Sequence, residues 1–342
     1  MRRDNNFDLL RLTLAWAVVL SHCKDLSLAK AFDPLTPLMQ SGRAVEGFFA
    51  ISGCLIVASW DRTRSAAEYF RRRAKRILPG YWLALAFSLV LGSFLTRLPL
   101  RVFWQNAATW KYIFFNLLFL NFVHPDLPGV FAANPVTNAM DGALWTIKIE
   151  VAFYLMVPLL VWLVRKFSPL WILGGVFTTS LLYRVILEHM GRPLLAKQIP
   201  GQLSFFMVGA AVYYFFPQFV AHRKQAWIAA LVLLPIALVS GWSPVEALAT
   251  PLFVMCVAFL LPPLRGITKY GDFSYGTYVL HYPIIQTLIA FGIFVSSPWM
   301  ALGLTVICVS ISSVVSWFSV ERRFLRPARV RQQETETNVE VV

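Results

Sequence analysis

Long apolar runs, separated by short polar segments, follow one another along almost the whole chain. Ten of them approach the length with which a helix crosses the ~30 Å hydrocarbon core of a membrane. An eleventh run, at 112–123, is too short to cross and is predicted to be re-entrant or interfacial. The pattern predicts an all-α, polytopic helical membrane protein with about ten transmembrane helices. The predicted spans are 8–23, 44–60, 78–96, 145–164, 169–188, 200–217, 226–241, 247–263, 273–294 and 299–319.

The basic residues between the runs predict which side of the membrane each loop occupies. Lysine and arginine are enriched in cytoplasmic loops. With ten spans and an inner N-terminus, 20 basic residues lie in inner segments and eight in outer ones, whereas counting 112–123 as a span would turn every later basic loop outward. We therefore expect an integral protein of the cell (inner, cytoplasmic) membrane with both termini in the cytoplasm. Segment 97–144 is then the largest outer segment, and it is long enough to form a lid.

Composition supports the membrane class and argues against others. The chain is 58% hydrophobic and 14% charged, whereas soluble domains carry about 25% charged residues. The net charge of +14 does not indicate nucleic acid, because the basic residues cluster in short loops, where they orient a membrane protein. Four scattered cysteines have no disulfide or zinc spacing. We expect no metal site and no permanently bound cofactor. We predict a membrane domain over 1–327 and a disordered cytoplasmic tail over 328–342.

A basic residue and a histidine share the first apolar run. Arg11 and His22 are eleven residues apart, a separation that in a helix returns them to within roughly 20° of one face and leaves them roughly 16 Å apart along the axis. Charged residues inside membrane helices are costly and usually functional. We predict that His22 is a general base, since an imidazole can take a proton from a hydroxyl at neutral pH. The alternative is structural: Arg11 paired with Asp8, and an interfacial histidine.

A cluster of arginines precedes the third span. It contains Arg72, Arg73 and Arg76, of which Arg73 and Arg76 would share one face of a helix. Guanidinium groups on one face match phosphate oxygens in a bidentate way. We therefore predict that this cluster binds a cytoplasmic ligand with several phosphates, such as a nucleotide or coenzyme A. The alternative is that the cluster only sets the topology.

A carboxylate is expected inside the fourth span. Glu150 falls at a depth similar to that of His22, and Asp141 precedes the span as a candidate helix cap. Glu150 could orient the imidazole, stabilise its charge or bind a sugar hydroxyl. The alternative is a structural ion pair, for example with Arg184.

Three other residues are candidates to line a pore or site. Ser52 lies in the segment 47–53, whose glycines are also typical of close helix packing. Tyr278 and His281 lie in the ninth span, where a histidine is expected to face protein or a cavity. A histidine satisfied within the core is an equally good interpretation of His281.

Taken together, these segments resemble the acyltransferase-3 family of integral membrane acyltransferases over about 5–325. Each pattern alone is weak, but five in the family's order are specific. The patterns are Arg11-x10-His22, Phe48-Phe49-x-x-Ser52-Gly53, Arg73-x-x-Arg76-x-x-Pro79, Leu144-Trp145-x4-Glu150-x3-Tyr154 and Ser274-Tyr275-x-x-Tyr278-x-x-His281.

The resemblance implies transfer of an acyl group, commonly acetyl from cytoplasmic acetyl-CoA, to a hydroxyl of an extracytoplasmic saccharide. It implies a catalytic role for Arg11 and His22 and donor handling by Arg73 and Arg76. Expected partners are acyl-CoA, a saccharide or lipid-linked glycan and the lipid bilayer, with no nucleic acid; acceptor identity and oligomeric state stay open. Two other functions compete: a saccharide or lipid transporter or flippase without acyl transfer, and a scaffold or sensor subunit of an envelope complex.

Overall fold

The computed structural model of the protein describes residues 5–37, 39–63, 65–136, 139–264 and 267–325. Within these ranges the chain has no β-strand, and an isolated bridge pairs Asp126 with Ala139. The tail predicted at 328–342 lies outside the described residues. The ten longest helices, named α1 to α10 in chain order, are Phe7–Ser27, Ser41–Asp61, Ala66–Leu95, Trp145–Lys166, Pro169–His189, Ile199–Tyr214, Arg223–Ser240, Ser243–Leu260, Ser274–Ala290 and Pro298–Ser316.

Shorter helical pieces lie in the connections. Three are 3₁₀ turns, at Lys30–Leu35, Gly142–Leu144 and Ile267–Tyr270. A π-helical turn at Trp317–Glu321 follows α10. Short α-helices occur at Leu100–Gln105, Ala107–Leu117, Pro193–Ala196, Phe216–Ala221, Ile293–Ser296 and Arg322–Leu325.

The predicted fold class is confirmed, because each predicted span coincides with one of the ten long helices. Seven of them (α2, α3, α4, α5, α7, α8 and α10) are long and apolar enough to cross a membrane by length and composition. The other three differ for physical reasons. Helix α1 carries four charged residues, while α6 and α9 have 16 and 17 residues.

Helix α3 begins well before its predicted span, at Ala66 rather than at residue 78. The Ser65 hydroxyl accepts a hydrogen bond from the backbone N–H of Glu68 and caps the helix. Glu68 then pairs with Arg72 one turn later. The basic segment is therefore helical, and Arg73 and Arg76 share a face as predicted. The hydrophobic pattern marks where the apolar part of the helix begins, which is not where the helix starts.

The eleventh apolar run does not form a membrane-spanning helix. Its helix, Ala107–Leu117, has 11 residues and is roughly 16 Å long. Phe103 and Tyr112 are buried with Leu85 of α3 and with Met140 in a small apolar cluster. The segment therefore packs on α3; its re-entrant or interfacial position stays a prediction.

Helices α2 and α6 cross in backbone contact. A Cβ atom at Gly53 would lie 2.0 Å from the carbonyl oxygen of Phe206, and one at Gly209 would lie 1.9 Å from that of Ala50. Only glycine permits this approach of two helices. The packing interpretation of the glycines in segment 47–53 therefore holds for Gly53, and the crossing fixes α2, which contributes to both cavities described next.

Candidate active site

Two cavities lie in succession along the same four helices, α1, α2, α4 and α9. On α1, Arg11 lines the first cavity and His22 lines the second. Val45 of α2 and Tyr278 of α9 line both, so these side chains belong to the wall between them. We name them the inner and the outer cavity, after the sides that the basic loops predict.

Three arginines, Arg11, Arg73 and Arg76, line the inner cavity. Asp272, two residues before α9, binds two of them: its carboxylate lies 2.5 Å from Arg76 Nη2 and 3.3 Å from Arg11 Nη1. Burial disfavours the charged carboxylate, but the guanidinium groups of Arg76 and Arg11 outweigh it and hold the pKa of Asp272 below its ordinary value. Asp272 is therefore a permanent anion that orients both arginines.

The start of α9 holds Asp272 in place. The second carboxylate oxygen of Asp272 accepts hydrogen bonds from the Ser274 hydroxyl at 2.5 Å and from the Ser274 N–H at 3.2 Å. Arg11 also pairs with Asp8 at 3.0 Å, as the structural alternative predicted, but it reaches the cavity as well. Sequence analysis missed Asp272. An acidic residue two positions before the Ser274-Tyr275 pattern is the signal that could have found it.

Arg73 and Arg72 are neighbours with different surroundings. Arg73 forms no ion pair among the described residues, its buried Nε has no hydrogen-bond partner there, and its guanidinium lies 5.7 Å from the centroid of the Tyr154 ring. Arg72 pairs with Glu68, is half exposed and does not line the inner cavity. The structure thus separates Arg72 from the other predicted donor-binding arginines, because consecutive helical residues point about 100° apart.

Glu150 lies in the inner cavity rather than beside His22. It accepts a hydrogen bond from the Tyr154 hydroxyl at 2.5 Å, and both residues line the cavity of the three arginines. In the described part of the chain, the side-chain hydrogen bond of His22 goes to His281 instead. The expected orientation of the imidazole by Glu150 therefore has no counterpart. Lys148, two positions earlier in α4, lines the outer cavity, whereas Glu150 lines the inner one, because residues two positions apart in a helix point about 200° apart.

His22 and His281 form a hydrogen-bonded pair. Nδ1 of His22 lies 2.7 Å from Nε2 of His281, and Nδ1 of His281 lies 2.6 Å from the Tyr278 carbonyl oxygen. A carbonyl only accepts, so Nδ1 of a neutral His281 carries the proton and its Nε2 accepts. His22 must then donate from Nδ1, which leaves the lone pair of His22 on Nε2. The pairing fixes the basic nitrogen of the residue that lines the outer cavity.

Two of the three residues that were predicted to line a pore or site lie at the inner cavity. Ser52 and Tyr278 line the inner cavity, while His281 is fully buried and lines neither of the two cavities. In the wall, the hydroxyl groups of Tyr278 and Thr146 are 2.8 Å apart. The core interpretation of His281 therefore holds, since both of its ring nitrogens have partners within the core, one of which is His22; a direct lining role for His281 has no counterpart in these two cavities.

Comparison with known proteins decides the family. The family model described as "Acyltransferase domain" matches residues 4–318. The chain belongs to this acyltransferase family. Nodulation protein 10 of Rhizobium leguminosarum bv. viciae is 27% identical over 356 aligned residues, which cover 93% of this chain and 92% of that protein. The O-acetyl transferase of Shigella phage Sf6 is 25% identical over 340 residues, which cover 95% of this chain and 97% of that protein.

A third relative of this acyltransferase is a longer protein. The O-acetyltransferase OatA of Staphylococcus aureus (strain NCTC 8325 / PS 47) is 25% identical over 297 residues, which cover 70% of this chain and 45% of OatA. No solved structure matches significantly. The family and these relatives confirm the predicted enzyme class, an O-acetyltransferase, in an integral membrane protein.

A second buried arginine in this acyltransferase has a different environment. Arg184 of α5 lies 3.1 Å from Glu46, 3.0 Å from Glu188 and 3.3 Å from Glu246. The predicted alternative of a pair between Arg184 and Glu150 is therefore wrong. Arg43 also pairs with Glu246, at 3.2 Å. This cluster joins the outer ends of α2, α5 and α8, and every guanidinium nitrogen of Arg184 has a partner in it.

Proposed function

We propose that this acyltransferase transfers an acetyl group from cytoplasmic acetyl-CoA to a hydroxyl of an extracytoplasmic saccharide. The observation that carries the proposal is the succession of two cavities, one lined by arginines and one by His22, which meet at Tyr278. A donor and an acceptor on opposite sides of a membrane need such an arrangement, because only the acetyl group then has to pass the wall.

The inner cavity suits the donor. Coenzyme A carries several phosphates, and guanidinium groups bind phosphate oxygens in a bidentate way. Arg73 has no carboxylate to compete with a phosphate, while Arg76 and Arg11 share Asp272. Arg11 lies roughly 16 Å along α1 from His22 and pairs with Asp272, so it belongs with the donor-binding arginines, past which the thioester extends toward the wall. Acetyl-CoA is consumed as a substrate, and the scheme needs no resident cofactor.

His22 serves as the general base in this scheme. Its Nε2 takes the proton from the acceptor hydroxyl as the hydroxyl oxygen attacks the thioester carbonyl carbon. The tetrahedral intermediate collapses, the C–S bond breaks, and the imidazolium gives the proton to the departing sulfur. The products are an acetyl ester and coenzyme A with a free thiol. His281 is a positioning residue, because its hydrogen bond holds the reactive tautomer of His22.

The test is acetyl-CoA consumption by purified protein in lipid with envelope glycan as acceptor, measured as coenzyme A release and as acetyl ester on the glycan. We expect His22→Ala to lower kcat about 10²- to 10⁴-fold, the usual contribution of a general base. Arg73→Ala/Arg76→Ala is expected to raise KM for acetyl-CoA. His222→Ala, at an exposed histidine outside both cavities, is the matched control. Full activity of His22→Ala would contradict the proposal.

A further inference from the structure

The outer cavity is lined by two lysines that no carboxylate neutralises. Lys148 lies in the first turn of α4 and Lys197 in the connection between α5 and α6. Neither forms an ion pair with any residue that the structure describes, and Lys148 Nζ lies 4.0 Å from the centroid of the Phe122 ring. A cation–π contact offsets only part of the cost of placing an ammonium group in a membrane helix. Both ammonium groups are therefore available to an anionic ligand.

Arg184 provides a comparison, because carboxylates already neutralise its charge. Its guanidinium lines the same cavity but contacts Glu46, Glu188 and Glu246. Carboxylates are thus present close to the cavity, yet they form ion pairs with Arg184 and Arg43 rather than with the lysines. Among the described residues, the two lysines therefore have no neutralising partner, although a carboxylate, that of Glu46, also lines the outer cavity.

Two buried oxygen atoms beside the cavity have no hydrogen-bond partner. Oε2 of Glu46 and Oε1 of Gln202 are unpaired among the described residues, and both side chains line the cavity. Glu46 has 7% of its side chain exposed, and Gln202 is 3% exposed. Buried polar atoms without a partner are rare. Hydroxyl groups of a bound ligand would supply the missing donors.

Aromatic side chains complete the outer cavity. Trp145 and Tyr278 line it together with Phe122. Binding sites for small ligands combine such apolar faces with a few well-placed polar groups that fix orientation. This set of groups fits a ring-shaped polyol that also carries a negative charge, with one hydroxyl at His22.

We propose that the outer cavity selects an acceptor saccharide that carries a fixed negative charge, a carboxylate or a phosphate. Lys148 and Lys197 bind the anion, and hydroxyl groups of the sugar donate to Glu46 and Gln202. The assignment of this ligand as the acetyl acceptor rests on the proposed function, whereas the charge preference of the cavity does not. The negative charge belongs either to the glycan itself, as in a uronic acid, or to the phosphate of a lipid carrier.

The experiment measures dissociation constants for full-length protein in nanodiscs of uncharged lipid. The probes are a neutral glucose tetrasaccharide, the corresponding glucuronic acid tetrasaccharide, and glucose linked to a polyprenyl phosphate. The variant is Lys148→Gln/Lys197→Gln. The matched control, Lys30→Gln/Lys111→Gln, removes two exposed charges from segments expected on the same side but outside the cavity.

We expect wild type to bind one charged probe about tenfold or more tightly than the neutral one, the usual contribution of a charge-assisted contact. The preference should vanish in Lys148→Gln/Lys197→Gln and persist in the control. Preference for the uronic acid places the charge on the glycan, and preference for the polyprenyl phosphate places it on the carrier. Equal behaviour of all three probes with wild type, or a preference that survives in Lys148→Gln/Lys197→Gln, overturns the inference.

Acetyl transfer from acetyl-CoA is measured in the same samples. Transfer without any preference for a charged probe overturns the inference about the outer cavity and leaves the proposed function intact. A lysine-dependent preference without transfer to any probe supports the charged-ligand site and counts against the proposed function. The experiment can therefore refute the charge preference of the outer cavity and the proposed acetyl transfer independently of each other.

Discussion

The two buried arginine clusters contain the same residue types in opposite proportions. Around Arg184, three glutamates face two arginines, and every guanidinium nitrogen of Arg184 has a partner. Three arginines and one carboxylate, that of Glu150, line the inner cavity; Asp272 pairs with Arg76 and Arg11, and Arg73 forms no ion pair among the described residues. Acids outnumber arginines in the first cluster and occupy Arg184, whereas arginines outnumber acids in the lining of the inner cavity and leave Arg73 able to bind an anion. A buried arginine is thus a candidate ligand-binding residue where arginines outnumber carboxylates at a cavity.

The largest effect is expected from breaking the acid-rich cluster. Arg184→Met leaves three carboxylates at a buried site without their central cation, and removing one partner from a buried ion pair costs about 3–5 kcal/mol. Thermal unfolding in detergent should show a large drop in Tm. Arg192→Met, at an exposed arginine in the following connection, should leave Tm unchanged. A normal Tm with lost activity would mean that Arg184 has a functional role instead.

The next largest effect is expected at the histidine pair that serves the outer cavity. His281→Leu removes the acceptor for His22 Nδ1, and we expect kcat to fall about 10- to 100-fold, the size of the effect seen when a metal-bound histidine loses the partner that orients it. His281→Gln offers an amide oxygen to His22 and an amide N–H to the Tyr278 carbonyl. It should recover part of the lost kcat at unchanged KM. Equal kcat values for the two variants would contradict the positioning role.

A smaller effect is expected from two neighbouring arginines of α3. Arg73→Gln removes a guanidinium from the inner cavity and should raise KM for acetyl-CoA about tenfold, the value of one charge-assisted contact. Arg72→Gln makes the same chemical change one residue away, where the side chain pairs with Glu68. Steady-state kinetics at varied acetyl-CoA should show little change for Arg72→Gln. Equal increases in KM would mean that net positive charge, not placement, binds the donor.

The smallest effect is expected in the wall between the cavities. Thr146→Val removes the hydroxyl that contacts Tyr278, and a single neutral hydrogen bond is worth about 1 kcal/mol. We expect kcat to fall about fivefold. Both KM values should stay nearly unchanged, because valine keeps the shape of Thr146, which lines the inner cavity, and removes only a hydroxyl that is engaged with Tyr278. An altered KM for either substrate would place Thr146 in that binding surface.

The helices could be predicted from the sequence because burial in a membrane demands long apolar runs. Periodicity along one helix was equally informative, and it correctly placed Arg73 beside Arg76 and Arg11 within reach of Asp8. Both inferences depend on residues of a single element. They needed no knowledge of how the helices pack.

Pairing between distant elements could not be predicted in the same way. His22 and His281 are 259 positions apart, and Arg76 and Asp272 are 196 apart. Such pairs depend on the crossing and rotation of helices, which hydrophobic runs do not specify. Depth alone suggested Glu150 as the partner of His22, but the direction of its side chain from α4 places it in the other cavity.

The wall between the cavities has an electrical consequence for the proposed reaction. The hydrogen that leaves the acceptor hydroxyl on the outer side ends on the coenzyme A sulfur on the inner side, while the acetyl group moves outward. Formally, a proton crosses inward and an acylium cation crosses outward, so each turnover moves no net charge through the membrane. Moving one charge through a potential of 100 mV would be worth about 2.3 kcal/mol, and the paired exchange avoids this contribution in either direction. Acetylation of a surface glycan is then driven by the thioester and is insensitive to the membrane potential.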